Sequence, residues 1–289
     1  MTFEALIQSI VNGLSAGAIY VLVALGLALI LGIMGIVQLA HGEVYMLGAY
    51  VTYYFCVVVG LHFLLALVIS TLVMGAAGIL IEKVFYRPFR YGDFLPPVIV
   101  ATGLMLFLQQ TAAITFGVTP KVVTTPFPGA ITIAGVSLSW ERLIVVIVTI
   151  IFVAVLFLLL QRTKIGQAML AVSQNLQGAA LQGISVDRTS SVAMFIGCGM
   201  AAAAGALMGA LFSLSSTMGG FALMKGIAVI ILGGLGSIPG AVIGGLIIGQ
   251  IDGIAGTLLG PAGASLVGFV AIMLILIFRP QGIMGLPSR

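Results

Sequence analysis

Residues 5–42 read ALIQSIVNGLSAGAIYVLVALGLALILGIMGIVQLAHG, a run of 38 residues without a single charged side chain. A membrane-spanning helix needs about 20 predominantly apolar residues, so this run is long enough to cross a bilayer. Further uncharged runs lie at 44–81, 94–120, 143–161, 189–224, 226–251 and 253–278. The pattern predicts a polytopic membrane protein built from helices.

The composition of the whole chain agrees with this prediction. Of 289 residues, 61% are hydrophobic and 6% are charged, whereas soluble domains carry about 25% charged residues. Soluble enzymes are therefore excluded. We predict an all-α, polytopic integral membrane helical bundle that forms one transmembrane domain over 1–289. About seven full spans are expected, with a broken or re-entrant helix pair around 223–257. The predicted full spans are 7–31, 44–60, 63–82, 96–117, 142–161, 189–213 and 262–278.

Two glycine-rich segments interrupt the apolar pattern. The first runs from Gly32 to Gly35 and leads into the polar residues around His41, and the second reads Gly233-Gly-Leu-Gly-Ser-Ile-Pro-Gly240. Glycine and proline destabilise a helix interior. Non-helical backbone at membrane depth is tolerated only where protein or a water-lined cavity satisfies it, so the second break is expected at the protein centre. An internal repeat with Gly42 opposite Gly240 is a further hypothesis.

Polar residues inside a membrane are rare and usually functional. For His41 and Glu43 two interpretations stand side by side: they line a gate, or they end a helix and hydrogen-bond to the broken backbone. The residues that could line a translocation path or gate are Gln38, His41, Gly42, Glu43, Gly234, Gly236, Ser237, Pro239 and Gly240.

Other residues are expected to have structural roles. Lys225 is expected to reach outward to the membrane interface, and Asp252 is expected to be interfacial too. The tyrosines at 45, 50, 53 and 54 are expected to form an interfacial belt. Glycines repeat every four residues from Gly236 to Gly244 and from Gly245 to Gly253. Such ladders let helix backbones approach closely, either within this subunit or against a partner.

The positive charges predict the orientation. Eight of the 11 Lys and Arg residues fall in three clusters, and such clusters accumulate on the cytoplasmic side of a membrane. The clusters are Lys83, Arg87 and Arg90; Arg162, Lys164 and Arg188; and Arg279 and Arg289. The N-terminus is therefore expected outside and the C-terminus in the cytoplasm. An outer loop at about 118–141 is expected to contain a short hairpin or re-entrant piece from Ile131 to Ser139.

The segment from about 162 to 185 has the pattern of an amphipathic helix on the cytoplasmic side. Its apolar face comprises Ile165, Ala168, Met169, Val172, Leu176, Ala179 and Ala180. One interpretation is an interfacial helix that lies against lipid headgroups. The segment lacks Trp and Phe, and its polar face has almost no Lys or Arg. These features favour the second interpretation, a helix that docks into a groove of a soluble partner.

No motif for chemistry is present. The chain has no Gly-x-x-x-x-Gly-Lys-Ser/Thr phosphate loop, so it is not expected to hydrolyse ATP itself. His41 and His62 are far apart and there is no cysteine pair with metal-site spacing. No metal, no cofactor and no catalytic residue is expected, and the chain is predicted not to be an enzyme.

Three segments carry a resemblance to known proteins: Arg162–Met169 with Asn175 and Ala179–Ile184, then Gln38–Tyr50, and then Gly233–Gly245. Together they resemble the LivH-type permease family of branched-chain amino-acid ABC importers. The chain has Leu170 where the family commonly has arginine. The resemblance implies alternating access and a coupling segment that receives the motion of partner ATPases. The residues that it implies for ATPase coupling are Arg162, Ile165, Gly166, Ala168, Met169, Val172, Asn175, Ala179, Leu181, Gly183 and Ile184.

The resemblance also implies partners and a location. The partners are a second homologous permease, two cytoplasmic ATPase subunits and an extracytoplasmic substrate-binding protein, and nucleic acid is not among them. The location is the bacterial cytoplasmic (inner) membrane. Two alternatives remain open at this point, a proton-coupled secondary transporter and a passive channel for small amides or urea. Both leave the segment at 162–185 unexplained. The residues do not distinguish branched-chain from other amino acids, urea or amides as substrate.

Overall fold

The computed structural model of the chain describes residues 3–90, 95–125, 127, 129–133, 135–279 and 281–285. Arg289 of the third positive cluster lies outside the described residues. The described elements are α1 (Phe3–Met34), α2 (His41–Tyr53), α3 (Phe63–Ile81), α4 (Leu95–Phe116), β1 (Ala130–Ile133), β2 (Val136–Ser139), α5 (Trp140–Arg162), α6 (Lys164–Gln174), α7 (Leu176–Leu181), α8 (Val186–Leu211), α9 (Met218–Gly233) and α10 (Ile238–Phe278).

The all-α, polytopic class is confirmed. Among the described residues, six helices are long and apolar enough to cross a membrane: Phe3–Met34, Phe63–Phe89, Leu95–Phe116, Trp140–Arg162, Val186–Leu211 and Ile238–Gly260. Five of these match predicted spans. The predicted span 44–60 is α2 with a π-helical turn, Tyr54–Val58, and the predicted span 262–278 is a shorter apolar helix, Ala262–Phe278.

The predicted break around 223–257 is present, and it is confined to a few residues. Helix α9 ends at Gly233 and α10 begins at Ile238, so most of the segment is helical. The stretch Ile238–Gly260 is long and apolar enough to cross a membrane in its own right, despite its many glycines. Helix α10 continues past Gly260, where a positive φ of 74° marks a kink.

Two three-helix units form the centre of the bundle. Each unit has a long helix, a break and a short helix followed by another long helix: α1–α2–α3 and α8–α9–α10. Helix α1 packs along α10, α3 packs along α8, and α2 meets α9. At that meeting point, a Cβ built on Gly42 would lie 2.1 Å from the carbonyl oxygen of Gly219. The units thus pair Gly42 with Gly219, so the proposed correspondence of Gly42 with Gly240 is wrong.

The glycine ladder in α10 serves packing within this chain. A Cβ on Gly249 would lie 2.2 Å from the Cα of Gly17, and one on Gly253 would lie 2.4 Å from the carbonyl oxygen of Ser9. The two backbones are therefore in direct contact, which only glycine permits. Of the two interpretations, contact within the subunit is the one that the structure supports here.

The two ends of the bundle carry different structures. At one end, called here the hairpin end, β1 and β2 pair antiparallel with Ala130 opposite Ser139, as the sequence predicted for this loop. Gln8 holds the hairpin to the start of α1, because its Nε2 donates to the Ser137 carbonyl oxygen at 3.0 Å. The opposite end carries α6 and α7 and is called here the α6–α7 end.

Candidate coupling surface and membrane-embedded polar sites

The segment after α5 forms two short helices, so the single helix predicted over about 162–185 is wrong. Three side chains start the successive helices: Thr163 accepts from the Gly166 amide at 3.1 Å, Asn175 from the Gly178 amide at 2.8 Å, and Ser185 from the Arg188 amide at 3.4 Å. Asn175 has extended backbone dihedrals, φ −156° and ψ 103°. Its side chain satisfies a helix N-terminus, and this local bond competes with continuing α6.

The apolar face of this segment turns toward its own bundle. Met169, Val172 and Ala179 are almost fully buried. Gly166 packs tightly too, because a Cβ there would lie 2.1 Å from the Leu159 carbonyl oxygen. The expectation that this face docks into a partner is therefore wrong for these residues. They fix the segment onto the subunit instead.

The exposed face is the one available to a partner. Leu181 is 88% exposed and Leu170 is 41% exposed, although both are apolar. Arg162, Asn175 and Gly183 are also exposed, and Ile165, Ala168 and Ile184 are half-buried. We define the coupling surface as Leu170, Leu181, the exposed residues between them and the exposed residue that follows Leu181. Its remaining members are Ser173, Gln174, Asn175, Gln177, Ala180 and Gln182.

A buried ion cluster joins the start of α8, the helix after this segment, to the residues that follow α3. The carboxylate of Glu82, which is fully buried, accepts from Arg87 at 2.8 Å, from Ser191 at 2.8 Å and from Arg90. Arg90 also pairs with Asp187 in the first turn of α8. The sequence placed these arginines at the cytoplasmic side and missed Glu82. The cluster thus joins the end of α3 to the start of α8, which is separated from the end of α7 by four residues.

The first predicted gate set, which comprises Gln38, His41, Gly42 and Glu43, lies inside the bundle. His41 is fully buried, and its Nε2 donates to the Val23 carbonyl oxygen of α1 at 3.2 Å. The Oε1 of Gln38 lies 3.3 Å from the His41 Nδ1. The Nε2 of Gln38 donates to the Cys198 sulfur at 3.8 Å. The backbone acceptor of His41 is therefore inside α1, 11 residues before that helix ends at Met34, and the contacts of Gln38 are with side chains rather than with the backbone of the break.

Glu43 differs from its neighbours in this set. It is 2% exposed, and its Oε2 has no hydrogen-bond partner among the described residues. A Cβ built on Gly219 would lie 2.8 Å from this oxygen. Gly42 and Glu43 therefore sit where the starts of α2 and α9 touch, at the contact between the two three-helix units.

The second predicted gate set, which comprises Gly234, Gly236, Ser237, Pro239 and Gly240, lies at the α6–α7 end. Gly234 and Gly236 have positive φ values of 106° and 78°, and Ser237 starts α10 by accepting from the Gly240 amide at 3.1 Å. A groove of about 360 Å³ runs beside this break. Its lining includes Gln161, Leu170, Leu235, Gly236, Ser237 and Pro239.

The structure keeps the two gate sets apart. Helix α9 runs from one to the other, a distance of about 20 Å at 1.5 Å per residue. The second set contacts the C-terminal segment, where the Met284 amide donates to the Gly233 carbonyl oxygen at 2.9 Å. Leu170 of the coupling surface lines the same groove as the break. The sequence pattern alone contained no signal for this proximity.

Two interfacial assignments are wrong. Lys225 pairs with Asp252 at 2.7 Å inside the bundle, with side chains 11% and 14% exposed, so neither is interfacial. Tyr45 and Tyr50 are buried rather than part of a belt, and Tyr50 stacks on Phe116 with ring centroids 4.4 Å apart. Tyr54 is 47% exposed. The packing of α9 on α10 brings Lys225 and Asp252 together. They are 27 residues apart and on different helices, so the spacing of residues along one helix could not predict their contact.

Comparisons with known proteins show which family of transport proteins the chain resembles. The family described as branched-chain amino acid transport system, permease component, matches residues 9–278. The chain is 34% identical to the high-affinity branched-chain amino acid transport system permease protein BraD of Pseudomonas aeruginosa, over 98% of this chain and 96% of the relative. It is 33% identical to the corresponding protein LivH of Escherichia coli, over 99% and 97%. No solved structure matches the chain.

Proposed function

Because the chain belongs to the family of permease components of branched-chain amino acid transport systems, we propose that it is the permease subunit of an ATP-driven importer. It is a transport subunit and not an enzyme. The proposed cargo is a branched-chain or similar amino acid, which crosses the cytoplasmic membrane by alternating access. The proposed orientation puts the hairpin end outside and the α6–α7 end in the cytoplasm.

The observation that carries this proposal is the coupling surface. The apolar side chain of Leu181 projects almost entirely into solvent, on a segment that buried residues fix firmly to the bundle. Exposed apolar residues on a firmly held element are typical of a protein interface. Since the chain has no phosphate loop of its own, we assign this surface to partner ATPase subunits. A secondary transporter or a passive channel would leave it without a use.

The remaining partners follow from the same proposal. A second homologous permease would complete the translocation path, and an extracytoplasmic binding protein would deliver the substrate at the hairpin end. The residues proposed for ATPase coupling are those of the segment 162–185. Among them, Leu170 and Leu181 would contact the ATPase subunits directly. Met169, Val172 and Ala179 would act by holding the segment in place.

We assign gating to the two breaks. At the α6–α7 end, Gly234, Gly236, Ser237, Pro239 and Gly240 form a hinge beside Leu170. A displacement of α6 by the ATPases would reach this hinge through the shared groove. At the first break, Gln38, His41, Gly42 and Glu43 hold the contact between the two three-helix units. Sliding at the Gly42–Gly219 contact would alter the path between them.

Copurification tests the proposed function. A tag on this chain, expressed in its native membrane, is expected to bring down two ATPase subunits, a second permease and ATPase activity. Because ATPase subunits are cytoplasmic, their retention on the α6–α7 segment also tests the orientation. A tagged chain that is purified alone and transports amino acids without ATP would contradict the proposal.

A further inference from the structure

A buried ion pair between α9 and α10 has no role in coupling or in the two breaks. Lys225 Nζ and Asp252 Oδ1 are 2.7 Å apart, and the Tyr20 hydroxyl donates to Asp252 Oδ2 at 2.8 Å. The Lys225 ammonium also lies 5.4 Å from the ring centroid of Phe221. Ionisable residues in a membrane bundle are costly, and a buried ion pair contributes little net stability. Such a pair points to a function.

Two cavities meet at this pair. The smaller has a volume of about 230 Å³, and its walls are almost entirely apolar. They include Phe221, Met224, Ala228, Ile248, Phe269 and Ile272, with Lys225 at one side.

The larger cavity has a volume of about 480 Å³ and extends toward the hairpin end, where Asn12 and Arg142 line it. Its lining also includes Ser15, Tyr20, Lys225 and Asp252. Lys225 and Phe221 belong to both cavities, so the ammonium group stands where the small apolar cavity meets a larger cavity that also has charged and polar side chains in its lining.

From this arrangement we propose a substrate site for an aliphatic α-amino acid in its zwitterionic form. The substrate carboxylate pairs with the Lys225 ammonium, and the substrate ammonium pairs with the Asp252 carboxylate. The aliphatic side chain enters the smaller cavity. This proposal rests on the proposed function and names residues that recognise the substrate within the membrane.

The exchange of partners makes the site reversible. When the zwitterion enters, each of its charges replaces one member of the Lys225–Asp252 pair, so no charge is left unpaired in the bundle. When the substrate leaves, the pair closes again. Tyr20 continues to hold Asp252 in either state. Such a site binds weakly, and weak binding suits a path through which the substrate has to pass.

The size of the apolar cavity selects the substrate class. Pockets for drug-sized ligands have volumes of roughly 300–1,000 Å³, and this cavity is smaller. It accommodates a short branched side chain, and it offers no hydrogen-bond partner to a polar one apart from Ser265 and Lys225 at its edge. An amino acid with a charged side chain would have to bury that charge against Phe269 and Ile272, which is unfavourable.

Saturation-transfer difference NMR on the intact complex tests this site. The complex is isolated through a tag on this chain and placed in lipid nanodiscs without the binding protein, with L-leucine as the probe. The wild type is expected to transfer saturation to the leucine methyl groups. Leucinamide and isocaproate, which lack the carboxylate and the ammonium respectively, are expected to compete at least about tenfold less well than L-leucine.

Two sets of variants separate recognition from helix packing. The double variant K225M/D252N removes both charges, and its leucine signal is expected to fall at least about tenfold. The variant Ala228→Phe fills the apolar cavity, and it is expected to lose the leucine signal while it retains the signal of L-alanine. Leu274→Phe introduces the same aromatic side chain at an exposed position of the neighbouring helix α10, outside both cavities, and serves as the control.

The outcomes distinguish this site from the proposed function. A wild-type complex that imports leucine with ATP but gives no leucine signal, or variants that keep the full signal, would overturn the site alone. A wild-type complex without ATP-dependent uptake would overturn the proposed function. If K225M/D252N does not assemble, the Ala228→Phe variant decides the question. Unchanged saturation transfer to leucine in that variant would contradict the site.

Discussion

Replacement of Leu181 by glutamate is expected to release the ATPase subunits from the complex. The side chain is 88% exposed, so the substitution leaves the packing of the bundle intact. In the assembled importer the same side chain would be buried against an ATPase subunit, and a carboxylate without a partner there is costly. Interface hot spots contribute about 2–4 kcal/mol, so affinity is expected to fall roughly 30- to 1,000-fold.

The measurement is the amount of ATPase that copurifies with the tagged chain, together with ATP-dependent uptake. The matched control is Val118→Glu, because Val118 is 76% exposed and lies at the hairpin end, which the proposed orientation puts on the side away from the ATPases. This control is expected to copurify the same amount of ATPase as the wild type. Normal ATPase recovery and normal uptake in the Leu181→Glu variant would show that the coupling surface lies elsewhere.

Replacement of Gly249 by valine is expected to prevent the bundle from folding stably. A Cβ at this position would lie 2.2 Å from the Cα and 2.4 Å from the amide nitrogen of Gly17. Both obstacles are backbone atoms, so a side-chain rotation cannot relieve the clash and α1 has to separate from α10. Overpacking of a well-packed core costs about 1–3 kcal/mol, and a clash between backbones is expected at or above the upper end of that range.

Gly268→Val on the same helix is the matched control, since nothing lies within 4 Å of a Cβ built there. Both substitutions add the same β-branched side chain to α10, so helix propensity cancels. The midpoint of thermal aggregation in detergent, followed by size-exclusion chromatography, is the measurement. The Gly249 variant is expected to aggregate at a clearly lower temperature or to be absent. Equal midpoints would mean that the α1–α10 contact is not as close as described.

The sequence predicted the helices well because hydrophobic runs and glycine-rich breaks are local signals. The uncharged run at 5–42 became α1 and the start of α2, and the Gly233–Gly240 stretch became the turn between α9 and α10. The alternating residues from Ile131 to Ser139 became the hairpin. At Asn175, however, the hydrophobic periodicity concealed a helix end, because a single capping side chain stops a helix without altering the apolar pattern.

The sites were harder to predict because they depend on contacts between distant segments. An apolar stripe indicates which face of α6 is buried, but it does not say whether the subunit or a partner buries it. The structure shows that the subunit buries Met169 and Val172. Likewise, Lys225 and Asp252 each looked like an isolated charge near an interface. Only the antiparallel packing of α9 on α10 places them 2.7 Å apart.

Glu82 shows the same limit at the α6–α7 end. Nothing in its neighbourhood marked it as buried, yet it joins the end of α3 to the start of α8. It does so directly through Ser191 and through Arg90, which also pairs with Asp187. Asp187, the second carboxylate bound by Arg90 in this cluster, is 105 residues away from Glu82 along the chain. A charge cluster of this kind requires the tertiary fold, whereas the positive-inside pattern that placed the arginines does not.

The most direct test of the central claim is amino acid uptake by the reconstituted complex. Proteoliposomes containing this chain, its partner permease and the ATPases are supplied with leucine-loaded binding protein on the outer side of the hairpin end. Uptake of labelled leucine is expected only when ATP is present on the side of the α6–α7 end, and it is expected to stop with a non-hydrolysable analogue. Uptake of equal rate without ATP, or uptake driven by a proton gradient alone, would contradict the account.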